Sequence, residues 1–98
     1  VSRTNITDVG VARLAVLVKL ESLYLFGCQG LTNVGMVDLA EMPKLNQLLL
    51  FNCRGINDGG LDFLVKSGLR EIWVGGTSVT SEGVLRMRQQ MPECKIIR

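Results

Sequence analysis

The chain has 98 residues, 47% of them hydrophobic, with eleven basic and nine acidic side chains and a net charge of +2. That apolar fraction argues against disorder and allows one domain, while so slight and scattered a charge argues against nucleic acid or an anionic membrane as partner. No apolar run approaches a membrane span, and the first residues lack the charged start and apolar core of a signal peptide. Three cysteines without CxxC spacing, and no histidine, offer no metal site and suggest no cofactor. Arg86, Arg88, Lys95 and Arg98 form the densest basic stretch; without interleaved aromatics it reads as a solvated helix face and chain end.

In chain order, Val1 has no preceding methionine and aligns with Val74, so the first unit is expected to have lost most of its strand to an N-terminal truncation. The edge of the next strand would then lie open or meet another copy, a route to self-association. Ile6-Thr-Asp-Val-Gly10 opens a helix over 8–18, because Thr and Asp near a helix start accept otherwise unpaired N–H groups. Val11, Leu14 and Leu17 form its apolar stripe. A strand follows over 20–26, then a helix over 33–42 with Met36, Leu39 and Met42 on its stripe, closed by Pro43. The next pair is a strand over 45–51 and a helix over 58–66 carrying Leu61 and Leu64. The last pair is a strand over 69–75 and a helix over 81–91 carrying Val84, Met87 and Met91, closed by Pro92, with a short strand over 94–98 at the end.

These elements repeat. Leu20, Leu45, Leu69 and Cys94 open successive units 25, 24 and 25 residues apart, and three of the units read Leu20-Glu-Ser-Leu23-Tyr-Leu25-Phe-Gly-Cys28, Leu45-Asn-Gln-Leu48-Leu-Leu50-Phe-Asn-Cys53 and Leu69-Arg-Glu-Ile72-Trp-Val74-Gly-Gly-Thr77. A second block recurs after each strand: Ile6-Thr-Asp-Val-Gly10, Leu31-Thr-Asn-Val-Gly35, Ile56-Asn-Asp-Gly-Gly60 and Val79-Thr-Ser-Glu-Gly83. One strand and one helix cannot bury their own apolar face, but stacked copies can. The expected fold over 1–98 is therefore a single α/β domain of about four repeats, a curved solenoid with a parallel sheet on its concave side and helices on its convex side. Leu23, Leu25, Leu48, Leu50, Ile72 and Val74 should point between the two layers.

The LxxLxLxxC and LTxxG elements resemble the leucine-rich repeat family along the whole chain, and a cysteine closing the strand block resembles its cysteine-containing subclass. Thr4 and Thr77 stand where Cys28 and Cys53 do in the other units. That mixture, with the ending Met91-Pro-Glu-Cys-Lys-Ile-Ile97, looks more like bacterial multi-repeat proteins than an F-box adaptor, and implies the C-terminal end of a solenoid. The resemblance implies a protein-protein interaction or scaffolding module with a protein partner. Its alternatives are the substrate-recognition repeats of an F-box-type ubiquitin ligase adaptor, or a structural solenoid end attached to a catalytic domain. These motifs specify a fold far better than a function.

Several residues have structural roles to fill. Gly27, Asn52 and Gly76 precede the closing Cys or Thr, where glycine and asparagine tolerate a left-handed backbone. Cys28 and Cys53 should lie about 5 Å apart on neighbouring units, packed as reduced thiols rather than bridged, with Cys94 buried likewise. Asp8, Asp58 and Glu82 recur near helix starts and should cap and oppose the helix dipole. Carboxylates spread one or two per repeat, with no histidine among them, argue against catalysis by this chain.

Strand alternation also selects a surface. If Leu23 and Leu25 point inward, then Tyr24 and Phe26 point out, as do Gln47, Leu49 and Phe51, and Glu71 and Trp73. Side by side these give a row Tyr24, Leu49, Trp73 and a second row Phe26, Phe51, holding four of the five aromatic residues; Phe63 belongs to a helix. Exposed contiguous aromatics mark interaction surfaces, so these seven residues are the candidate partner-binding set. The competing expectation is that they only pack laterally on one another.

Overall fold

A computed structural model describes residues 2–3, 5–17 and 19–98. Strands and helices alternate: β1 (Ser2–Arg3), α1 (Asp8–Leu14), β2 (Ser22–Phe26), α2 (Asn33–Ala40), β3 (Gln47–Phe51), α3 (Asp58–Leu64), β4 (Glu71–Trp73), α4 (Ser81–Gln90) and β5 (Lys95–Ile97). The strands form one parallel sheet in the order β1-β2-β3-β4-β5, so every helix connects two adjacent strands. This is an α/β repeat architecture.

The repeated leucines explain why these segments pair. Leu23, Leu25, Leu48, Leu50, Ile72 and Val74 are all buried, and they meet Val11, Leu14, Met36, Leu39, Leu61, Leu64, Val84 and Met87 from the helices in a single apolar cluster. Among the described residues no polar or charged residue is buried in it. Backbone hydrogen bonding runs past the strand ends, from Gly27 N to Phe51 O at 2.7 Å, from Asn52 N to Gly75 O at 2.8 Å and from Val74 N to Ile97 O at 2.8 Å. The chain then turns under the sheet at Gly27 (φ 60°), Asn52 (φ 59°) and Gly76 (φ 74°). These are the three positions expected to be left-handed, and Asn52 is the only one that bears a side chain. Cys28, Cys53 and Cys94 are buried thiols and form no disulfide. Burial pushes the Cys53 thiol up to about 11 and raises that of Cys94, to which the Glu71 charge adds.

All four helices begin where expected, but α1 ends at Leu14 rather than near 18. Leu17 was expected on its buried stripe and is instead 48% exposed. A stripe extrapolated at helical spacing fails once the chain has left the helix, and Leu17 N and Leu20 N already bond three residues back in turns. Val18 lies outside the described residues, as do Val1 and Thr4, on which the expected alignment of the first unit rested. Ser2 stands beside Tyr24 and Arg3 beside Leu25, where that alignment puts Ser2 beside Phe26. No LxxLxL pattern fixes the register in this segment. The open edge expected along β2 is thus occupied by β1 at Tyr24 and Leu25.

The helix starts are tied to one another across the repeats. Asp8, the first residue of α1, accepts hydrogen bonds from Thr32 N (2.8 Å), Thr32 Oγ1 (2.6 Å) and Gly35 N (3.1 Å) at the start of α2. Asn33 accepts from Asn57 N (3.1 Å), and its amide donates to Asn57 Oδ1 (2.6 Å). Asp58 accepts from Thr80 N (2.8 Å) and Thr80 Oγ1 (2.5 Å). The residue of α4 equivalent to these is Ser81, whose Oγ accepts from Arg98. Glu82, expected to match Asp8 and Asp58, sits one residue further on. Asp8 and Asp58 accordingly satisfy donors at the next helix start rather than at their own. The caps on the same helix come from Thr32, Asn57 and Thr80, which accept from Val34 N, Gly59 N and Gly83 N.

Candidate functional site

The strand positions that alternate with the buried leucines form the other face of the sheet. Register places Tyr24 beside Leu49 and Leu49 beside Trp73, so the predicted row exists. It extends to Ile97 on β5, while a parallel row runs Ser22, Gln47, Glu71, Lys95. Lys95 and Ile97 were not assigned to this face from sequence, although the alternation within the short last strand would have supplied them. Phe26 lies beside Phe51 in the third row. All seven predicted residues are on this face.

Three of the aromatic rings are in mutual contact. The Phe26 and Phe51 rings stack with centroids 5.5 Å apart and planes 6° from parallel, and Trp73 meets Phe51 edge-on at 5.7 Å and 62°. Both geometries suit the charge distribution of aromatic rings. Lateral packing leaves Phe26 38% exposed at the β2 end, while Tyr24, Leu49, Phe51 and Trp73 are half-buried. Lateral packing and solvent access therefore coexist on this surface.

Polar groups on the face are turned onto one another. The Tyr24 hydroxyl donates to Gln47 Oε1 at 2.9 Å. Trp73 Nε1 donates to the Glu71 carboxylate. The Trp73 N–H holds the Glu71 carboxyl below the usual glutamate range, with further lowering from Gln47 and Lys95 against a desolvation effect of opposite sign. The result is a ribbon of rings and aliphatic side chains bordered by one carboxylate and one ammonium. Such a surface can bury apolar groups of a partner with few unpaired polar atoms. Among the described residues no three His, Cys, Asp or Glu side chains gather as a metal site.

Elsewhere, Val37 and Phe63 are exposed on α2 and α3, and Val16 and Leu17 beyond α1. Among the described residues no helix is long and apolar enough to cross a membrane.

Residues 16–40, which contain β2, its corner and α2, match the family model described as Leucine Rich repeat. The match supports a leucine-rich repeat family, and the same strand–corner–helix unit recurring through β3 and β4 makes the chain a repeat protein. Leucine-rich repeats generally mediate protein-protein interaction, which points to a protein partner. No curated protein matches the chain.

Proposed function

We propose that this chain is a protein-binding or scaffolding module, without a catalytic step of its own, that holds its partner on the sheet face carrying Tyr24, Leu49 and Trp73. The observation that carries the reading is the register of that row. Three strands bring an aromatic, an aliphatic and an aromatic side chain into line, with Phe26 and Phe51 stacked beside them. Tyr and Trp supply large contact area with few rotors to immobilise, which is why they dominate binding hot spots. The reading includes a curved stack with this face on its inner side, and the cysteine-containing subclass, which Cys28 and Cys53 support by occupying equivalent buried positions.

A partner captured with the full-length protein provides the test. In calorimetric titration, Trp73→Ala should weaken binding by about 2 kcal/mol or more, the usual loss for a central aromatic anchor. Arg13→Ala, on the exposed side of α1, should bind as wild type does. Equal binding by Trp73→Ala and wild type would move the site off this face.

A further inference from the structure

We infer that Glu71 is the positioning residue of this face: its carboxylate holds the Trp73 ring in the arrangement a partner meets. The purpose assigned to it rests on the binding reading above, whereas the geometry stands by itself. An ionised carboxylate only accepts hydrogen bonds, and the Trp73 indole N–H donates to it. Gln47, beside Glu71 in register, accepts from the Tyr24 hydroxyl at 2.9 Å.

Trp73 is constrained twice, by its N–H at Glu71 and by its ring edge against Phe51 at 5.7 Å. A half-buried indole with only the ring contact could rotate, and a partner would have to immobilise it on binding. With both contacts the ring is fixed beforehand. The groups facing Glu71 are Gln47 from β3, Lys95 from β5, the Cys94 thiol, and Trp73 on its own strand. Among them Lys95 alone carries charge at neutral pH, and it favours the ionised carboxyl, as does the depressed Glu71 pKa.

Trp73 is the single tryptophan of the chain, so indole signals report this site alone. The experiment compares wild type, Glu71→Gln and Glu71→Ala by the NMR exchange rate and pH titration of the indole N–H, with far-UV circular dichroism verifying the fold. Losing a charge-assisted hydrogen bond should speed indole proton exchange in Glu71→Ala by about tenfold or more. Glu71→Gln, which keeps a neutral acceptor, should recover much of that protection. In wild type the indole resonance should shift as pH falls through the Glu71 titration, below the usual glutamate range, and Glu71→Gln should lack that step. Unchanged exchange in a folded Glu71→Ala, or a titration step persisting in Glu71→Gln, overturns the assignment.

With a captured partner, Glu71→Ala should bind about threefold to tenfold more weakly through lost pre-organisation, and Glu71→Gln should restore most of the loss. If Trp73→Ala binds normally while Glu71→Ala still frees the indole, the binding reading falls and the positioning role stands. If Glu71→Ala leaves the indole unchanged, the positioning role falls whatever the binding result.

Discussion

Replacing Gly83 with alanine probes the stitching between helix starts. A Cβ at position 83 would lie 2.9 Å from Asp58 Oδ2 and closer still to Oδ1 and Cγ, so the carboxylate would have to swing away. Its bonds from Thr80 N at 2.8 Å and Thr80 Oγ1 at 2.5 Å would go with it. Two hydrogen bonds at about 0.5–1.5 kcal/mol each amount to about 1–3 kcal/mol, and the better helix propensity of alanine offsets up to about 1 kcal/mol of that. A net loss of about 1–2 kcal/mol should lower the melting temperature by roughly 4–15 °C in a domain of this size. Asp58→Ala gives up the same bonds, so adding Gly83→Ala to it should cost little more. The double-mutant cycle, measured by urea and thermal denaturation, should therefore show a coupling of about 1 kcal/mol or more. Gly68→Ala, where a Cβ would meet nothing within 4 Å, is the control and should stay within about 0.5 kcal/mol of wild type. Additive losses in the cycle would refute the stitching argument.

Further outcomes follow from the core, the carboxylates and the thiols. Leu48→Ala empties a fully buried site and should lower unfolding free energy by about 2–5 kcal/mol, against less than about 0.5 kcal/mol for the exposed Arg13→Ala, both read by chemical denaturation. Hydrogen bonds from Thr80 hold the Asp58 carboxyl below its usual range, so its stabilisation is complete above the ordinary aspartate pKa and disappears as pH falls through the folded value. Melting temperatures of Asp58→Asn between neutral and acid pH should consequently fall less than those of wild type. With Cys28, Cys53 and Cys94 buried and Cys53 at about 11, a thiol reagent at neutral pH should label them only as fast as the protein opens. Rapid stoichiometric labelling of the native protein would contradict that burial.

How much of this could be read in advance depended on how local the determinant was. The strand leucines, the helix starts and the left-handed corners at Gly27, Asn52 and Gly76 were legible because each follows from a few adjacent residues recurring in every unit. Leu17 misled because helical spacing persists in sequence beyond the point where the helix itself stops at Leu14. Glu82 misled because charge was matched before position, although Ser81 is the true equivalent of Asp8 and Asp58. The row Tyr24, Leu49, Trp73 was legible from alternation and register alone. The hydrogen bonds from Tyr24 to Gln47 and from Trp73 to Glu71 were not, since they depend on rotamers that become fixed only when the strands lie side by side.

The ties between helix starts also impose a grammar on any attempt to shuffle or extend these repeats. An aspartate faces a threonine in two junctions, where a hydroxyl can donate to a carboxylate, and an asparagine faces an asparagine in the junction between them, where the Asn33 amide donates to Asn57 Oδ1 and accepts from Asn57 N. Were Asn33 exchanged for aspartate, its carboxylate would confront the Asn57 Oδ1, which already accepts from Gly59 N. Asn57 would then have to flip its amide and surrender that cap. A unit transplanted into another slot must therefore bring the hydrogen-bonding sense of its neighbour with it, as well as the glycine at the third helical position that leaves room for the incoming side chain. Adjacent repeats are keyed to one another, and their order is written into the chain as firmly as their shape.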